Sequence, residues 1–206
     1  MKIHPLNDSA RRHGFTLVEL LVVIAIIAVL AGAGFAGAKA AIEKAQKTKA
    51  KHVCTTINTA VLTFYDEYGH LPLPTGASGG GSQDIEIQTV GAQGVDLLTA
   101  LMGMESDSDN MLNPKKIRFL DIPEGKRTGN TGKNGIIYNS GNSIQGLYDP
   151  WGQPYRILMD ANYDDNLDNN PFSSGNSILR GRRVGAYTYG KNKRNDQGGQ
   201  DDVKSW

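Results

Sequence analysis

An apolar run of 24 residues, from Phe15 to Ala38, constrains this chain more than any other feature. Its only ionisable side chain is Glu19. A helix of that length extends about 36 Å, which is enough to cross the hydrocarbon core of a bilayer. A carboxylate in such a segment is costly, so Glu19 is a candidate functional residue. The alternative is that its carboxylate reaches the membrane interface without a specific partner.

The charges before the apolar run indicate how the chain is oriented. Residues 1–14 contain Lys2, Arg11 and Arg12 against the single acid Asp8. Positive charge before a span keeps that end in the cytoplasm, so we expect the remainder of the chain outside it. A secretory signal peptide is the alternative, but the apolar region of such a peptide has only about 7–15 residues.

Composition limits what the part after the span can be. It is polar and rich in glycine, so its core is modest and we expect assembly or a bound ion to stabilise it. The single cysteine, Cys54, excludes an intramolecular disulfide, and we predict that it is a small apolar residue of a helix. The net charge of +1 disfavours nucleic-acid binding through bulk charge.

The apolar run continues into a predicted amphipathic helix over residues 39–69. Gly69 is expected to end this helix, and Pro72 and Pro74 prevent its continuation. Apolar side chains recur at spacings of three and four, which places them on one helical face: Val53, Ile57, Val61, Phe64 and Tyr68.

Residues 70–206 contain short predicted elements. One long helix followed by spaced short strands predicts an α+β domain with a small antiparallel sheet. We predict a short helix over Val95–Met102 and loops over 75–84 and Gly125–Gly135. The predicted strands are Lys116–Ile122, Ile136–Asn139, Tyr155–Met159 and Arg183–Tyr189.

Residues 160–168 begin like an EF-hand loop. Asp165 stands where that loop needs glycine and Pro171 where it needs glutamate, so we predict a polar turn, with a weak ion site as the alternative. Trp151 and Tyr155 are predicted to pack in the core rather than to form a platform for a sugar or nucleotide. We find no catalytic triad, phosphate loop or histidine pair with metal-ligand spacing, so we predict that the chain is not an enzyme.

Three segments resemble one family. Residues 11–20, Arg-Arg-His-Gly-Phe-Thr-Leu-Val-Glu-Leu, resemble the processing signature of type IV pilins and of the pseudopilins of type II secretion systems. Residues 149–155, Asp-Pro-Trp-Gly-Gln-Pro-Tyr, and the tail from Tyr189 to Trp206 resemble elements of the major pseudopilin family. The resemblance implies a pilin-like fold, with one long N-terminal helix packed on a small antiparallel sheet and a C-terminal ion-binding loop.

The resemblance also implies how the chain is processed. A prepilin peptidase would remove the leader, residues 1–14, by cleaving after Gly14, and would N-methylate the new amino group of Phe15. Glu19 follows Phe15 by four residues, and its carboxylate is expected to pair with the Phe15 amine of a neighbouring subunit. The mature chain would then consist of the span 15–38, the amphipathic helix and a periplasmic domain over 70–206.

A structural calcium ion is the cofactor that the resemblance implies. The family usually has aspartate where this chain has Asn192, so one negative charge is lost and the affinity should be weaker. The alternative is an ordinary solvated acidic tail. The implied ligands are the side chains of Asn192, Asp201 and Asp202, with Asp196 as a further candidate, and the backbone carbonyls of Tyr189 and Gly199.

The implied function is that of a structural subunit in a type II secretion pseudopilus. Such a subunit is anchored in the inner membrane and forms a homo-oligomeric filament in the periplasm of a Gram-negative-type bacterium. Its partners would be prepilin peptidase, the inner-membrane secretion platform and minor pseudopilins. The alternatives are a minor pseudopilin or a type IV pilus subunit for adhesion, twitching or DNA uptake. Pilus subunits commonly close their C-terminal region with a disulfide, which a single cysteine excludes.

Overall fold

A computed structural model gives the fold. It describes residues 14–77, 83–129, 131–168, 170–173, 177–199 and 201–206, with the backbone alone for 33–36. The predicted leader therefore lies outside the described residues except for Gly14, and so does the middle of the predicted loop over 75–84. The chain divides into two compact units, Met1–Glu43 and Lys44–Trp206.

The longest element is helix α1, Leu17–Tyr68. An 18-residue window within it has a mean hydropathy of 2.7, so by length and composition this helix can cross a membrane. The large apolar side chains of its first part are exposed, with Val18 at 70% and Leu30 at 66%. An apolar surface of this size needs lipid or other protein chains around it.

From Ala50 onward, one face of α1 is buried in the core of the second unit. Val53, Ile57, Val61 and Phe64 are at most 8% exposed, and Tyr68 packs against them, so the predicted face is confirmed. Cys54 is fully buried on the same helix, as predicted. Gly69 has φ +73° and donates its N–H to the carbonyl of Tyr65 at 2.8 Å, which ends the helix as predicted.

The other elements are short and follow in the second unit. In chain order they are β1 Ile85–Gln88, α2 Gly91–Leu101, β2 Lys126–Thr128, β3 Thr131–Lys133, β4 Gly135–Tyr138, β5 Ile144–Tyr148, β6 Arg156–Met159, β7 Asn166–Leu167, β8 Leu179–Arg180, β9 Val184–Thr188 and β10 Val203–Lys204.

The main sheet is antiparallel, with the strand order β1-β6-β9-β10. Its register places Ile87 opposite Ile157 and Ile157 opposite Ala186, so buried side chains of adjacent strands lie side by side. These side chains belong to the same hydrophobic core as the buried face of α1. The pairs β2–β3, β4–β5 and β7–β8 form three antiparallel ribbons. The expected α+β architecture, one long helix on small antiparallel sheets, is confirmed.

A second, aromatic cluster includes residues of β6 and β9. Phe172 and Tyr187 are buried in it, and Tyr189 and Trp206 pack against them. Trp206 also lies over Gly185, where an added Cβ atom would come within 2.9 Å of the indole ring. The Trp206 side chain is therefore an integral part of the folded domain, and Gly185 is required to make room for it.

The predicted strand over Lys116–Ile122 is wrong. The N–H groups of Phe119 and Leu120 both donate to the carbonyl of Leu101, at 2.8 and 2.9 Å, so this segment caps the C-terminal end of α2. Its apolar residues alternate because some side chains face the core while their neighbours face solvent. The segment nevertheless pairs with no strand of the described chain, so it is not part of a sheet.

Two further predictions also need correction. The segment Gly125–Gly135, predicted as a loop, contains the ribbon β2–β3. All the side chains of its two strands are exposed and its one buried residue is Gly132, so no apolar alternation marks these strands in the sequence. Helix α2 begins four residues before the predicted Val95, and its N-cap Val90 makes no side-chain hydrogen bond that a sequence motif could reveal. The other three predicted strands correspond to β4, β6 and β9 within two residues.

Candidate functional site

The first candidate region is the chain immediately before α1. Gly14, Phe15 and Thr16 are not helical, and the helix begins at Leu17. Apart from the neighbouring residues, no atom of the described part of the chain lies within 4 Å of the position that a Cβ of Gly14 would occupy, and Phe15 is 80% exposed. The predicted cleavage position, the Gly14–Phe15 peptide bond, is therefore in exposed, non-helical backbone.

Glu19 is hydrogen-bonded to Thr16 at the start of this helix. The Oε2 atom of Glu19 accepts the N–H and the hydroxyl of Thr16, both at 2.9 Å, and the N–H of Glu19 donates to the Thr16 hydroxyl oxygen at 3.2 Å. This reciprocal arrangement is a capping box, with Thr16 as the N-cap residue. The carboxylate also lies at the end of the helix where the backbone dipole favours negative charge.

The role of Thr16 was missed from the sequence. The hydropathy pattern predicts Glu19 as the partner of a neighbouring subunit or as an acid at the interface, although the spacing Thr-x-x-Glu is also the signature of a capping box. In the isolated chain both donors go to Oε2 of the Glu19 carboxylate, so an amine from a neighbour has either to share this carboxylate with Thr16 or to replace its hydrogen bonds.

The second candidate region is the loop between β9 and β10, residues 189–202, which we call the C-terminal loop. Asp202 is 5% exposed, and its Oδ2 atom accepts the N–H groups of Asp196 at 2.8 Å and Gly198 at 3.0 Å. Its Oδ1 atom is buried and, within the described chain, has no hydrogen-bond partner. Burial raises the pKa of Asp202, and the carboxylates of Asp196 and Asp201 add to this rise.

The structure brings the other predicted ligands into the same loop. The N–H of Asn192 donates to Oδ2 of Asp201 at 2.7 Å, and its side-chain amide donates to Oδ2 of Asp196 at 2.5 Å. The amide oxygen of Asn192 accepts the N–H of Arg194 at 2.8 Å, and the carbonyl of Gly199 accepts the N–H of Asp202 at 3.0 Å. The loop is thus closed by its own hydrogen bonds.

The donor set of the C-terminal loop fits calcium in its chemistry. It consists of oxygens, which Ca²⁺ prefers, and the buried Oδ1 of Asp202 is an unsatisfied acceptor of the kind that a cation would neutralise. Among the residues that the structure describes, no three or more His, Cys, Asp or Glu side chains are grouped as a metal site. A full shell would therefore require the amide oxygen of Asn192 and main-chain carbonyls, including those of Tyr189 and Gly199.

The EF-hand-like segment forms a polar turn, as predicted. Asp160 is fully buried, and its two carboxylate oxygens accept the N–H groups of Asp164 at 3.1 Å and Asp165 at 2.8 Å. Tyr163 and Asp165 have positive φ angles, +59° and +61°, which this tight turn requires. Asp165 also accepts the Nε–H of Arg183 at 2.5 Å. The Asp160 carboxylate therefore holds the backbone of the turn.

Asp84 lies beside this polar turn. The sequence patterns do not identify it as a candidate site residue. Its Oδ2 atom accepts the N–H of Asp168 at 2.5 Å, while its buried Oδ1 has no hydrogen-bond partner among the described residues. Burial raises the pKa of Asp84 to about 6, and the carboxylates of Asp160, Asp168 and Asp164 contribute to the rise. No local pattern could reveal Asp84, because only the fold brings it to residues 160–168.

Residues 149–153 form a tight turn, which we call the Asp149 turn. Asp149 is fully buried; its Oδ1 accepts the N–H groups of Trp151 and Gln153, both at 2.8 Å, and its Oδ2 accepts the Thr188 hydroxyl at 2.6 Å. Burial raises the pKa of Asp149, against these hydrogen bonds, which lower it. Tyr155 is 1% exposed and Trp151 packs against the core, so their predicted role in packing is confirmed.

The comparison with known families identifies a motif in the N-terminal region. Residues 9–35 match the model of the prokaryotic N-terminal methylation motif. In this region the chain is similar to type IV pilin-like proteins. The motif implies processing by a prepilin peptidase, and together with the apolar part of α1 it indicates that the chain is anchored in a membrane. No solved structure matches the chain significantly.

The family match covers the N-terminal candidate region and none of the candidate regions in the second unit. It contains Gly14, Phe15, Thr16 and Glu19, so the open peptide bond and the capping box both fall within the motif. It ends at residue 35, so the C-terminal loop and the Asp149 turn lie outside it.

Proposed function

We propose that this chain is a structural subunit of a type II secretion pseudopilus. It is anchored in the inner membrane and assembles into a periplasmic filament after cleavage behind Gly14 and N-methylation of Phe15. The observation that carries this proposal is the methylation motif at the head of a helix whose large apolar side chains are exposed. In a filament, the corresponding helices of other subunits would cover these side chains.

The choice of a pseudopilus rests on features outside the motif. The buried Asp149 turn and the tail that ends in Trp206 resemble elements of the major pseudopilin family, and the single Cys54 is incompatible with the disulfide common in pilus subunits. A type IV pilus subunit and a minor pseudopilin are the alternatives that share the N-terminal motif. We propose a structural rather than an enzymatic role.

The capping box supports a mechanism in which assembly depends on proteolysis. Cleavage creates an amino group on Phe15, and methylation keeps it cationic. The Glu19 carboxylate, which accepts two neutral donors from Thr16 in the isolated chain, would exchange them for the amine of an adjoining subunit. A cationic amine and a carboxylate attract each other as two opposite full charges, which the neutral Thr16 donors do not, so the exchange favours the filament. It would also set the stagger between subunits.

We expect the protein purified from native membranes to begin at Phe15 and to carry one methyl group on the amine of that residue. The support is that the matched methylation motif includes Gly14 and Phe15. Intact-mass and N-terminal peptide analysis measures it, and a Gly14→Val variant, whose side chain blocks the open backbone, is the control that retains the leader. A native protein that keeps residues 1–14, or that is recovered free of membranes, would refute the proposal.

Deletion of the gene distinguishes the two kinds of filament. A pseudopilus subunit is required for the release of secreted proteins into the medium, whereas a pilus subunit is required for surface fibres, twitching or DNA uptake. Retained cargo in the periplasm with normal surface fibres supports the pseudopilus, and the opposite result supports the pilus.

We also propose that the C-terminal loop binds one calcium ion. Asp201 and Asp202 would supply carboxylate oxygens, Asn192 its amide oxygen, and Asp196 is a further candidate. The support is the buried Oδ1 of Asp202, which has no hydrogen-bond partner among the described residues, and the carboxylates of Asp196 and Asp201, which help to raise the pKa of Asp202. When bound, the ion supplies positive charge that offsets their mutual repulsion.

Chelation of calcium is expected to lower the melting temperature of the detergent-solubilised chain. At a calcium concentration of 100 times Kd, binding stabilises the folded state by about 2.7 kcal/mol, which corresponds to roughly 5–10 °C for a chain of this size. Thermal denaturation with calcium, with excess chelator and with magnesium measures the effect. In Asp202→Asn, which keeps the hydrogen-bond acceptor, the calcium response should disappear. An identical melting curve in calcium and in chelator would count against the loop.

A further inference from the structure

We infer that the Thr188 hydroxyl is a positioning group that couples the Asp149 turn to the C-terminal loop. Thr188 is the last residue of β9 and is fully buried. Its hydroxyl donates to Oδ2 of Asp149 at 2.6 Å and accepts the N–H of Gly190 at 3.4 Å. A hydroxyl can donate one hydrogen bond and also accept one. Here it donates to Asp149 in the turn and accepts from Gly190 in the loop.

Gly190 transmits this contact into the C-terminal loop. It has φ +64°, and the position that its Cβ would occupy lies 2.8 Å from the main-chain carbonyl carbon of Asp201. Only glycine fits this close approach, so the start of the loop is pressed against its end. Asp201 in turn holds the N–H of Asn192 at 2.7 Å. A contiguous path therefore runs from the Thr188 hydroxyl to three of the residues that shape the loop.

The C-terminal end of the loop also lies beside Thr188. Thr188 lies opposite Val203 in the β9–β10 pair, and Val203 directly follows Asp202. Both ends of the C-terminal loop thus depend on Thr188, one through its hydroxyl and the other through the register of the strands. On the other side, Asp149 holds the N–H groups of Trp151 and Gln153, so the same contact orients the turn.

The coupling has a thermodynamic consequence, which rests on the proposed calcium binding. If the ion stabilises the closed loop, it also stabilises the bond between Thr188 and Asp149, and by reciprocity this bond raises the affinity for the ion. The hydrogen-bond part of the inference needs no ion, because loss of the hydroxyl removes a donor from Asp149 and an acceptor from Gly190 in either state.

Thr188→Val in the full chain, solubilised in detergent, tests the inference. Valine has the same shape without the hydroxyl and suits a strand. Calcium titration should show an affinity at least fivefold weaker, within the usual range of such couplings. Amide hydrogen exchange measured by NMR should be faster at Asn192 and Asp196 in the loop and at Trp151 in the turn. Thr188→Ser, which restores the hydroxyl, should return both measurements to the wild-type values.

Thr89→Val is the matched control. Thr89 is also fully buried, and its hydroxyl donates to the carbonyl of Leu147 at 2.7 Å and accepts the N–H of Tyr155 at 2.9 Å. Its loss should lower the melting temperature while leaving calcium affinity and loop exchange unchanged. Equal effects of Thr188→Val and Thr89→Val on the C-terminal loop would overturn the inference, as would wild-type loop exchange in Thr188→Val.

The two proposals fail in different ways. A wild-type chain that binds no calcium refutes the calcium proposal, and hydrogen exchange in the ion-free protein then decides the coupling alone. A wild-type chain that binds calcium, with affinity and exchange unchanged in Thr188→Val, refutes the coupling and leaves the calcium proposal standing.

Discussion

Glu19→Gln is expected to enter the membrane and to be cleaved normally, yet to form almost no filament. Glutamine retains the capping box, because its side-chain oxygen accepts the N–H of Thr16 as glutamate does. It lacks the negative charge that the cationic Phe15 amine of a neighbour requires. An uncompensated charge is unfavourable by about 2.5–3.5 kcal/mol at the centre of a membrane helix and by less near its end, so each subunit addition should be disfavoured by up to roughly 100-fold.

Glu19→Ala and Thr16→Val separate capping from charge. Alanine removes both the charge and the capping acceptor, whereas valine at position 16 removes only the hydroxyl that donates to Glu19 at 2.9 Å. We expect Glu19→Ala to fail like Glu19→Gln, and Thr16→Val to assemble. The filament fraction recovered by sedimentation after the outer membrane is opened measures all three, with leader removal measured by mass. Normal filaments from Glu19→Gln would show that the charge of Glu19 has no role in assembly.

The N-terminal region illustrates what its sequence reveals. Its predictable features depend only on neighbouring residues. Hydropathy predicts a helix long enough to cross a membrane, and the spacing of Gly14, Phe15 and Glu19 predicts a processing position. The hydrogen bonds of Glu19 follow equally from local spacing, because Thr16 lies three residues before it. Hydropathy alone does not predict them, because it treats the carboxylate as a partner for another chain or as a group at the membrane interface and takes no account of Thr16.

The second unit shows where local patterns fail. The buried face of α1 and the end of this helix at Gly69 could be predicted, because periodicity and a left-handed glycine are properties of neighbouring residues. The segment around Phe119 could not, because its N–H donates to Leu101, which is distant in sequence. The alternation of β1, Ile-Glu-Ile-Gln, was present but short, and its four residues were overlooked after a glycine-rich stretch.

The polar contacts of the second unit depend even more on tertiary structure. Asp149 and Thr188 are separated by 39 positions, and Asp84 and Asp168 by 84. No spacing rule joins such pairs, since the antiparallel sheet alone brings them together. The family resemblance includes Asp149 in residues 149–155, but it gives no physical reason for an aspartate there. The fold gives the reason, because Asp149 accepts three hydrogen bonds from two parts of the chain.

Asp149→Ala is expected to lower the free energy of unfolding of the second unit by about 3–5 kcal/mol, equivalent to about 10 °C or more in melting temperature. Alanine leaves the N–H groups of Trp151 and Gln153 and the hydroxyl of Thr188 without their acceptor. Unsatisfied buried donors each cost about 1–3 kcal/mol. Denaturant unfolding of the detergent-solubilised chain, followed by fluorescence, measures the loss.

Asp149→Asn is the matched control, because it keeps an oxygen for the two N–H groups and removes the charge, while its NH2 group replaces Oδ2, so the Thr188 hydroxyl must accept from this side chain instead of donating to it. Burial raises the pKa of Asp149, so the folded protein binds this proton more tightly than the unfolded chain. The contribution of Asp149 to stability is therefore greatest at low pH and falls as pH rises from the ordinary aspartate value through the folded pKa. Asp149→Asn should lose that component of the pH dependence while remaining within about 1 kcal/mol of the wild type near neutrality. If Asp149→Ala were as stable as Asp149→Asn, the carboxylate would not be the group that holds the turn and the loop together.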